Sequence, residues 1–347
     1  LEQEGITYIA LDLDPERAPA IRACFGLRDR TDARVKEAER LLTEKHVEAV
    51  KALLKQMGGM ADLIGFHGQT ITHDPDNRFT LQIGDADLLA RETGVDVVHD
   101  FRSADVAAGG QGAPLLPLYH RARVKAAGLK LPVAIVNIGG VANVTWIGKG
   151  EDDILAFDTG PGNALMDDWA QKKTGQAYDE DGKLAAQGRY DFVEDRPFLQ
   201  WGNDPYFRKK PPKSLDRNHW NIKDIDHLNV EDGAACLTDF VARSIVSSAR
   251  HFPKMLGLFP QQPHVWYISG GGRKNATLMK WLGQRFDEWK KMRQVEPVEV
   301  LGWNGDAIEA EGFAYLAVRS VLGLPLSLPT TTGVPAPMPG GRLARAV

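Results

Sequence analysis

The stretch ILAFDTGPGNALMDDW, residues 154–169, reads as a buried strand, a glycine turn and the opening of a helix. Ile154 to Asp158 is apolar until its final carboxylate. Thr159-Gly160-Pro161-Gly162 then breaks the strand, and Asn163 opens a helix predicted to run to Thr174, with Leu165 and Trp169 one turn apart and Gly175 as its cap. Open α/β sheets bind ligands beyond the carboxyl ends of their strands. Helix N-termini offer free N–H groups and the positive end of a dipole to anions. Glycines let a backbone approach phosphate where a β-carbon would block it. Asp158 would sit where a nucleophile is deprotonated or a hydrated metal ion is held. An ordinary capped strand–turn–helix connection is the alternative reading of this stretch alone.

Two further glycine turns lie outward from it. Pro132 to Ile138 is a predicted buried strand, Gly139-Gly140 a turn, and Asn143 to Ile147 the hairpin partner. Asn137, Gly139 and Gly140 read alone are a plain hairpin; beside FDTGPGN they suggest two turns gripping one polyphosphate. In VWYISGGGRKNATLMKWL, the strand Val265–Ile268 runs into Gly270-Gly271-Gly272, and a helix follows with Leu278, Met279 and Leu282 on its face. This is not GxGxxG, and no acidic residue follows at dinucleotide-fold spacing, which disfavours a nicotinamide enzyme.

The first part of the chain carries its own strand–helix pattern. Ile6–Leu13 reads as a strand, residues 31–57 as a helix ended by Gly58-Gly59, and Ala61–Phe66 as a short strand entering the polar loop His67-Gly68-Gln69-Thr70. Leu81–Gly84 ends another strand, Asp85 to Thr93 is a helix, Val95–His99 is a strand, and Asp100 opens a glycine-rich loop reaching Pro117. Gln69, Thr70, Asp100, Arg102, Asp105 and Gln111 suit a hydroxyl-rich ligand bearing a carboxylate, which Arg102 could pair bidentately. The nine histidines form no convincing metal set, and His67 reads as a hydrogen-bonding residue. Residues 200–222 read as loop. Within them Arg208-Lys209-Lys210 with Lys213 reads as a solvated face, a phosphate or sugar contact being the minority reading. The Pro/Gly-rich tail after Pro329 is expected to be poorly ordered at its end.

Because the pattern restarts near residue 130, an N-terminal α/β domain over 1–130 and a C-terminal α/β domain over 131–347 are expected. The length of 347 residues suits about two domains. Hydrophobic residues at 43% and charged residues at 25% are those of an ordinary globular protein. A net charge of −4 gives no global attraction to nucleic acid or anionic membrane. No apolar run approaches the ~18 residues that span a bilayer, and no signal segment opens the chain. Cys24 and Cys236 lack CxxC spacing and read as thiols of a reducing compartment, so a cytoplasmic location is expected.

Taken together, GFHGQT, DFRSADVAAGGQGAPL, NIGGVANVT, FDTGPGNALMD, RKKPPKS, ISGGGRKNATLM, GWNGDAIEAEGFAYLA and LPTTTGV resemble the anhydro-N-acetylmuramic acid kinases, in order over residues 65–333. These are sugar kinases of the actin/Hsp70/hexokinase-like superfamily. The resemblance implies two RNase H-like domains with ATP and sugar in the cleft between them, and a place in peptidoglycan recycling. It implies that Asn137, Gly139, Gly140, Thr159, Gly160, Gly162 and Asn163 hold phosphates, and that Gly270, Gly271, Gly272 and Asn275 flank the adenosine. Asp158 would be the base that activates water, which opens the 1,6-anhydro ring while O6 takes the γ-phosphoryl group. His67, Gln69, Thr70, Asp100, Arg102 and Asp105 would surround the sugar. Mg²⁺ would arrive with ATP, and a homodimer is suggested. Two departures stand out. The family's Gly-Thr-Ser-x-Asp-Gly turn has no counterpart, and with Leu1 first, upstream truncation is the expectation; a non-catalytic relative is the alternative. PPKS is followed by Leu215-Asp216-Arg217-Asn218, where the family has Thr-Gly-Arg-Glu.

Overall fold

The computed structural model describes residues 17–59, 61–189, 201–255, 259–288 and 294–346. The predicted strand Ile6–Leu13 lies outside them. The chain divides into two compact units, Leu1–Ala126 with Glu309–Val347, and Ala127–Ile308. Residues 309–347 therefore belong with the first unit, not with the second as the sequence pattern suggested.

In the first unit the elements are helices α1 (Arg17–Arg22) and α2 (Ala33–Met57), strands β1 (Ile64–Gly65), β2 (Gln69–Asp74) and β3 (Phe79–Ile83), helix α3 (Ala86–Thr93), strand β4 (Val97–His99), and helices α4 (Ser103–Ala107) and α5 (Pro117–Ala126). Helix α2 starts where the Asp32 side chain accepts from the Arg34 N–H and stops where Gly58 turns left-handed at φ 65°. Val35, Ala38, Leu42 and Val47 are its buried stripe. Two expectations change. The polar run after Gly68 is not a loop but the first strand of the β2–β3 hairpin, paired from Gln69↔Ile83 to Asp74↔Phe79. The loop after Asp100 contains helix α4.

The second unit holds strands β5 (Val133–Ile138), β6 (Val141–Ile147) and β7 (Ile154–Pro161), helices α6 (Asn163–Thr174), α7 (Lys183–Gln187) and α8 (Val230–Ser248), the short pair β8 (Lys254–Met255) and β9 (Phe259–Pro260), strand β10 (Val265–Ser269), helix α9 (Ala276–Glu288) and strand β11 (Gln294–Pro297). Its sheet order is β11-β10-β5-β6-β7. Strands β5, β6 and β7 form an antiparallel meander, and β10 and β11 extend the other side in parallel. This is the strand arrangement of an RNase H-like domain. Trp146, Trp169, Trp266 and Phe157 are fully buried in its core. Helix α8 lies so close that a β-carbon at Gly233 would stand 2.0 Å from the Trp169 ring.

The chain then returns to the first unit as α10 (Ile308–Val321) and β12 (Arg342–Ala344). The tail expected to be loose pairs antiparallel with β4, from Arg342↔His99 to Ala344↔Val97. Phe313 of α10 packs against Phe101, and a β-carbon at Gly65 would stand 2.3 Å from the Phe313 carbonyl oxygen. Among the described residues no helix is long and apolar enough to cross a membrane.

Candidate functional site

Strand β7 does not end at Asp158, as the sequence suggested, but continues to Pro161. The register with β6 shifts between Ala142 and Asn143, so Asn143 pairs with Asp158 and Ala142 with Gly160. Thr159 is the extra residue, a bulge of the sort that re-aims neighbouring side chains. Its hydroxyl is buried and donates to the Ala142 carbonyl at 3.1 Å. The strand can continue because Gly160 lies flat on α8, where a β-carbon would stand 2.6 Å from Ser244.

The three glycine turns meet at one end of this sheet. Asn163 and Ala164 donate their backbone N–H groups to the Gly139 and Gly140 carbonyls at 2.7 and 3.3 Å, and the Asn163 side chain donates to the Ile138 carbonyl at 3.2 Å. The first amides of α6 thus lock the turns together rather than standing free for an anion. Gly270, at φ 74°, touches the same place: a β-carbon there would stand 2.5 Å from the Asn137 amide oxygen. Arg273 pins that turn, donating to the Gly270 carbonyl at 2.9 Å while paired to Glu299 and Asp306 at 2.6 and 3.0 Å. Asn275 caps α9 through a 2.9 Å bond from the Leu278 N–H.

The glycines here fall into two kinds. A β-carbon at Gly162, Gly270 or Gly272 would lie 2.2 to 2.5 Å from the protein's own atoms. At Gly139, Gly140 and Gly271 the nearest atoms are 3.7, 3.7 and 3.2 Å away, and none of these three has a positive φ. Packing and backbone strain do not demand glycine at Gly139 or Gly140, and at Gly271 a side chain asks only a small shift of the Asn163 amide. What their lack of a side chain leaves is exposed backbone, the surface a polyphosphate or flat ring fits.

Asp158 is only 6% exposed. The Leu215 N–H donates to its Oδ2 at 2.8 Å, the Tyr206 hydroxyl donates to its carbonyl at 2.6 Å, and its own N–H donates to the Lys213 carbonyl at 3.0 Å. All three contacts come from the segment 206–215, which the sequence read as loop. Aromatic packing gives that segment its fixed shape: Phe207 stacks on Trp220 with ring centroids 5.5 Å apart, and both pack on Phe240. Lys213 is not on a solvated face but 1% exposed. Sequence reasoning also passed over Asp167, one helical turn beyond Asn163, whose carboxyl is pushed up to about 6 by burial and by the neighbouring Asp168. Its i+4 spacing from Asn163 was the available signal.

In the first unit the predicted polar residues are largely engaged with one another. Asp105 is buried, accepting from the Gly112 N–H at 2.7 Å, the Thr332 hydroxyl at 2.6 Å and the Ser327 hydroxyl. Arg102 donates to the Gly112 carbonyl at 2.6 Å and, through two nitrogens, to His67 Nε2 at 3.0 and 2.9 Å. The other His67 nitrogen bonds the Gly68 carbonyl at 2.7 Å, so Nδ1 carries the proton. Burial, with Arg102 adding to it, pushes this imidazole down to about 3. Gln69 donates to the Thr70 carbonyl at 3.0 Å, and Gln82 donates to the Thr70 hydroxyl at 3.2 Å. Asp100, at φ 55°, pairs with Arg342 at 3.1 Å. His67, Gly68, Gln82, Asp100, Arg30 and Arg342 are among the residues lining a polar cavity of about 360 Å³.

A family model described as anhydro-N-acetylmuramic acid kinase matches residues 20–343. Proteins named anhydro-N-acetylmuramic acid kinase are 50% identical in Rhizorhabdus wittichii, over 98% of this chain and 93% of that protein, and 49% identical in Rhodospirillum rubrum, over 92% and 81%. One from Zymomonas mobilis is 48% identical over 92% of this chain and 83% of its own length. Among solved structures, the activator of the 2-hydroxyisocaproyl-CoA dehydratase from Clostridium difficile with bound ADPNP matches with a TM-score of 0.39 and 13% identity, covering 78% of this chain and 79% of that one. Half-identity sustained over nearly the whole length, together with a family model spanning both units, means that the chain belongs to the anhydro-N-acetylmuramic acid kinase family.

Proposed function

We propose that this chain is an ATP-dependent kinase that hydrolytically opens 1,6-anhydro-N-acetylmuramic acid and phosphorylates O6, giving N-acetylmuramic acid 6-phosphate and ADP. The observation that carries the chemistry is Asp158, a buried carboxylate held by the Leu215 N–H in the same strand that leads to the glycine turns. Asp158 takes a proton from water as the water oxygen bonds C1. The C1–O6 bond breaks, and O6 bonds the γ-phosphorus as that phosphorus parts from the bridging oxygen of the β-phosphate, which leaves with ADP. ATP supplies the phosphoryl group, and Mg²⁺ enters with it, held through phosphate oxygens and water.

Gly139, Gly140 and Gly271 are the backbone surfaces on which nucleotide would lie, while Gly160, Gly162, Gly270 and Gly272 keep the turns in shape. Asn137 and Asn163 brace those turns. On the sugar side, the neutral His67, Asp100 and the polar cavity beside them are the candidates. Gln69 and Thr70 border them on β2, and Arg102 and Asp105 support that wall from behind its loops. A cytoplasmic homodimer, active in peptidoglycan recycling, completes the reading.

The test is ADP release measured with and without the anhydro sugar, in water enriched in heavy oxygen. Sugar-dependent release with the label at C1 of the product is expected. Equal release without sugar, or label absent from C1, would sink the reading.

A further inference from the structure

Lys213 is a buried ammonium that the reaction above does not use. Its Nζ donates to the Tyr206 carbonyl at 2.8 Å and sits 4.2 Å from the centre of the Tyr206 ring and 5.7 Å from that of Phe157. Tyr206 in turn donates to the Asp158 carbonyl, and Asp158 donates to the Lys213 carbonyl. The three residues, the proposed base among them, close a ring of contacts. Burying an ammonium is costly, and a hydrocarbon side chain of similar length would tie the segment down at less cost. The charge therefore calls for a reason, and Asp158 is the opposite charge that attracts it.

We propose that Lys213 is a positioning residue for Asp158: its ammonium holds the Tyr206 carbonyl and so locks the 206–215 segment, which bonds both the carboxylate and the main chain of Asp158, onto β7. The proposal rests on the reading of Asp158 as the base. The charged and titratable groups facing Lys213 are Asp158 from β7, Arg250 and His251 after α8, and Lys209 and Tyr206 from its own segment. Burial, then Arg250 and Lys209, push its ammonium down to about 8, against the pull of Asp158. Below that pH the charged ammonium holds the Tyr206 carbonyl; above it that charge-assisted bond weakens and the segment loosens around Asp158.

The experiment is steady-state kinetics from pH 6 to 10 on the full chain, its Lys213→Met, Lys213→Arg and Asp158→Asn variants, with melting temperatures alongside. Lys213→Met is expected to lower kcat about 10–100-fold with KM for both substrates nearly unchanged and no fall in melting temperature. Lys213→Arg, which cannot lose its proton, should keep most of kcat and lose the decline near pH 8 shown by the unaltered enzyme. A Lys213→Met enzyme with unaltered kcat and pH profile overturns the proposal, as does a Lys213→Arg enzyme that still declines near pH 8. Should Lys213→Met fail to fold, the arginine profile decides. An inactive Asp158→Asn beside an unaffected Lys213→Met removes the positioning role alone. An active Asp158→Asn removes the base and the positioning role together.

Discussion

The ends of β5, β7 and β10 in the second unit and the stretches His67–Thr70 and Asp100–Gly112 in the first are both rich in glycine and polar groups, but they use them differently. In the second unit the turns bond to one another and still leave Gly139 and Gly140 with no neighbour that would forbid a side chain, and Gly271 with only the Asn163 amide at 3.2 Å. In the first, Asp105 is satisfied by Gly112, Ser327 and Thr332, and Arg102 by His67 and Gly112. One region keeps bare backbone in reserve, and the other consumes its side chains in holding loops. Polar density in a sequence therefore does not by itself distinguish a binding surface from a scaffold.

Substitutions can break this contrast or sharpen it. Asp158→Asn should cost most: turnover falling by about 10²–10⁴-fold, the range for losing a general base, with ATP affinity preserved, as read by single-turnover kinetics and calorimetry. Asp105→Ala should act on stability instead, lowering it by about 2–4 kcal/mol in denaturant titration because three buried donors lose their acceptor. If Asp105→Ala left stability unchanged and abolished sugar binding, the two regions would not differ as described. Gly271→Val should weaken ATP binding about tenfold without unfolding the protein. Gly272→Val, by contrast, drives a side chain into Ile138 and should destabilise the second unit by about 1–3 kcal/mol. Asn275→Ala is the mildest, costing about 1 kcal/mol as a lost helix cap and leaving nucleotide affinity within twofold. A larger loss of affinity would return Asn275 to the ligand.

Much of the second unit was legible because strand alternation and glycine punctuation are local signals. The helix Asn163–Thr174 and its Gly175 cap were read from spacing alone, and the structure has both at those residues. The continuation of β7 past Asp158 was not legible. It depends on Ser244, far along the chain, approaching closely enough that only Gly160 fits. Lys213 was misread for the same reason: a cation beside Arg208, Lys209 and Lys210 looks solvated until Tyr206 and Phe157 fold around it. The β2–β3 hairpin hid behind His67–Thr70, whose polar residues lack the alternation of a half-buried strand.

The return of the chain to its first unit bears on the order in which the protein can be made. Residues 127–308 are contiguous and leave the ribosome together, so the later-synthesised unit can close on its own sequence. The earlier one must wait, because the Asp105 carboxylate meets Ser327 and Thr332 only 222 and 227 residues further on. Strand β4 likewise gains its antiparallel neighbour from Arg342–Ala344. Domains usually fold from the N-terminus during synthesis; here the first-made unit can be completed only after residues 327–344 have emerged, and until then the Asp105 carboxylate and one flank of β4 stand without those partners.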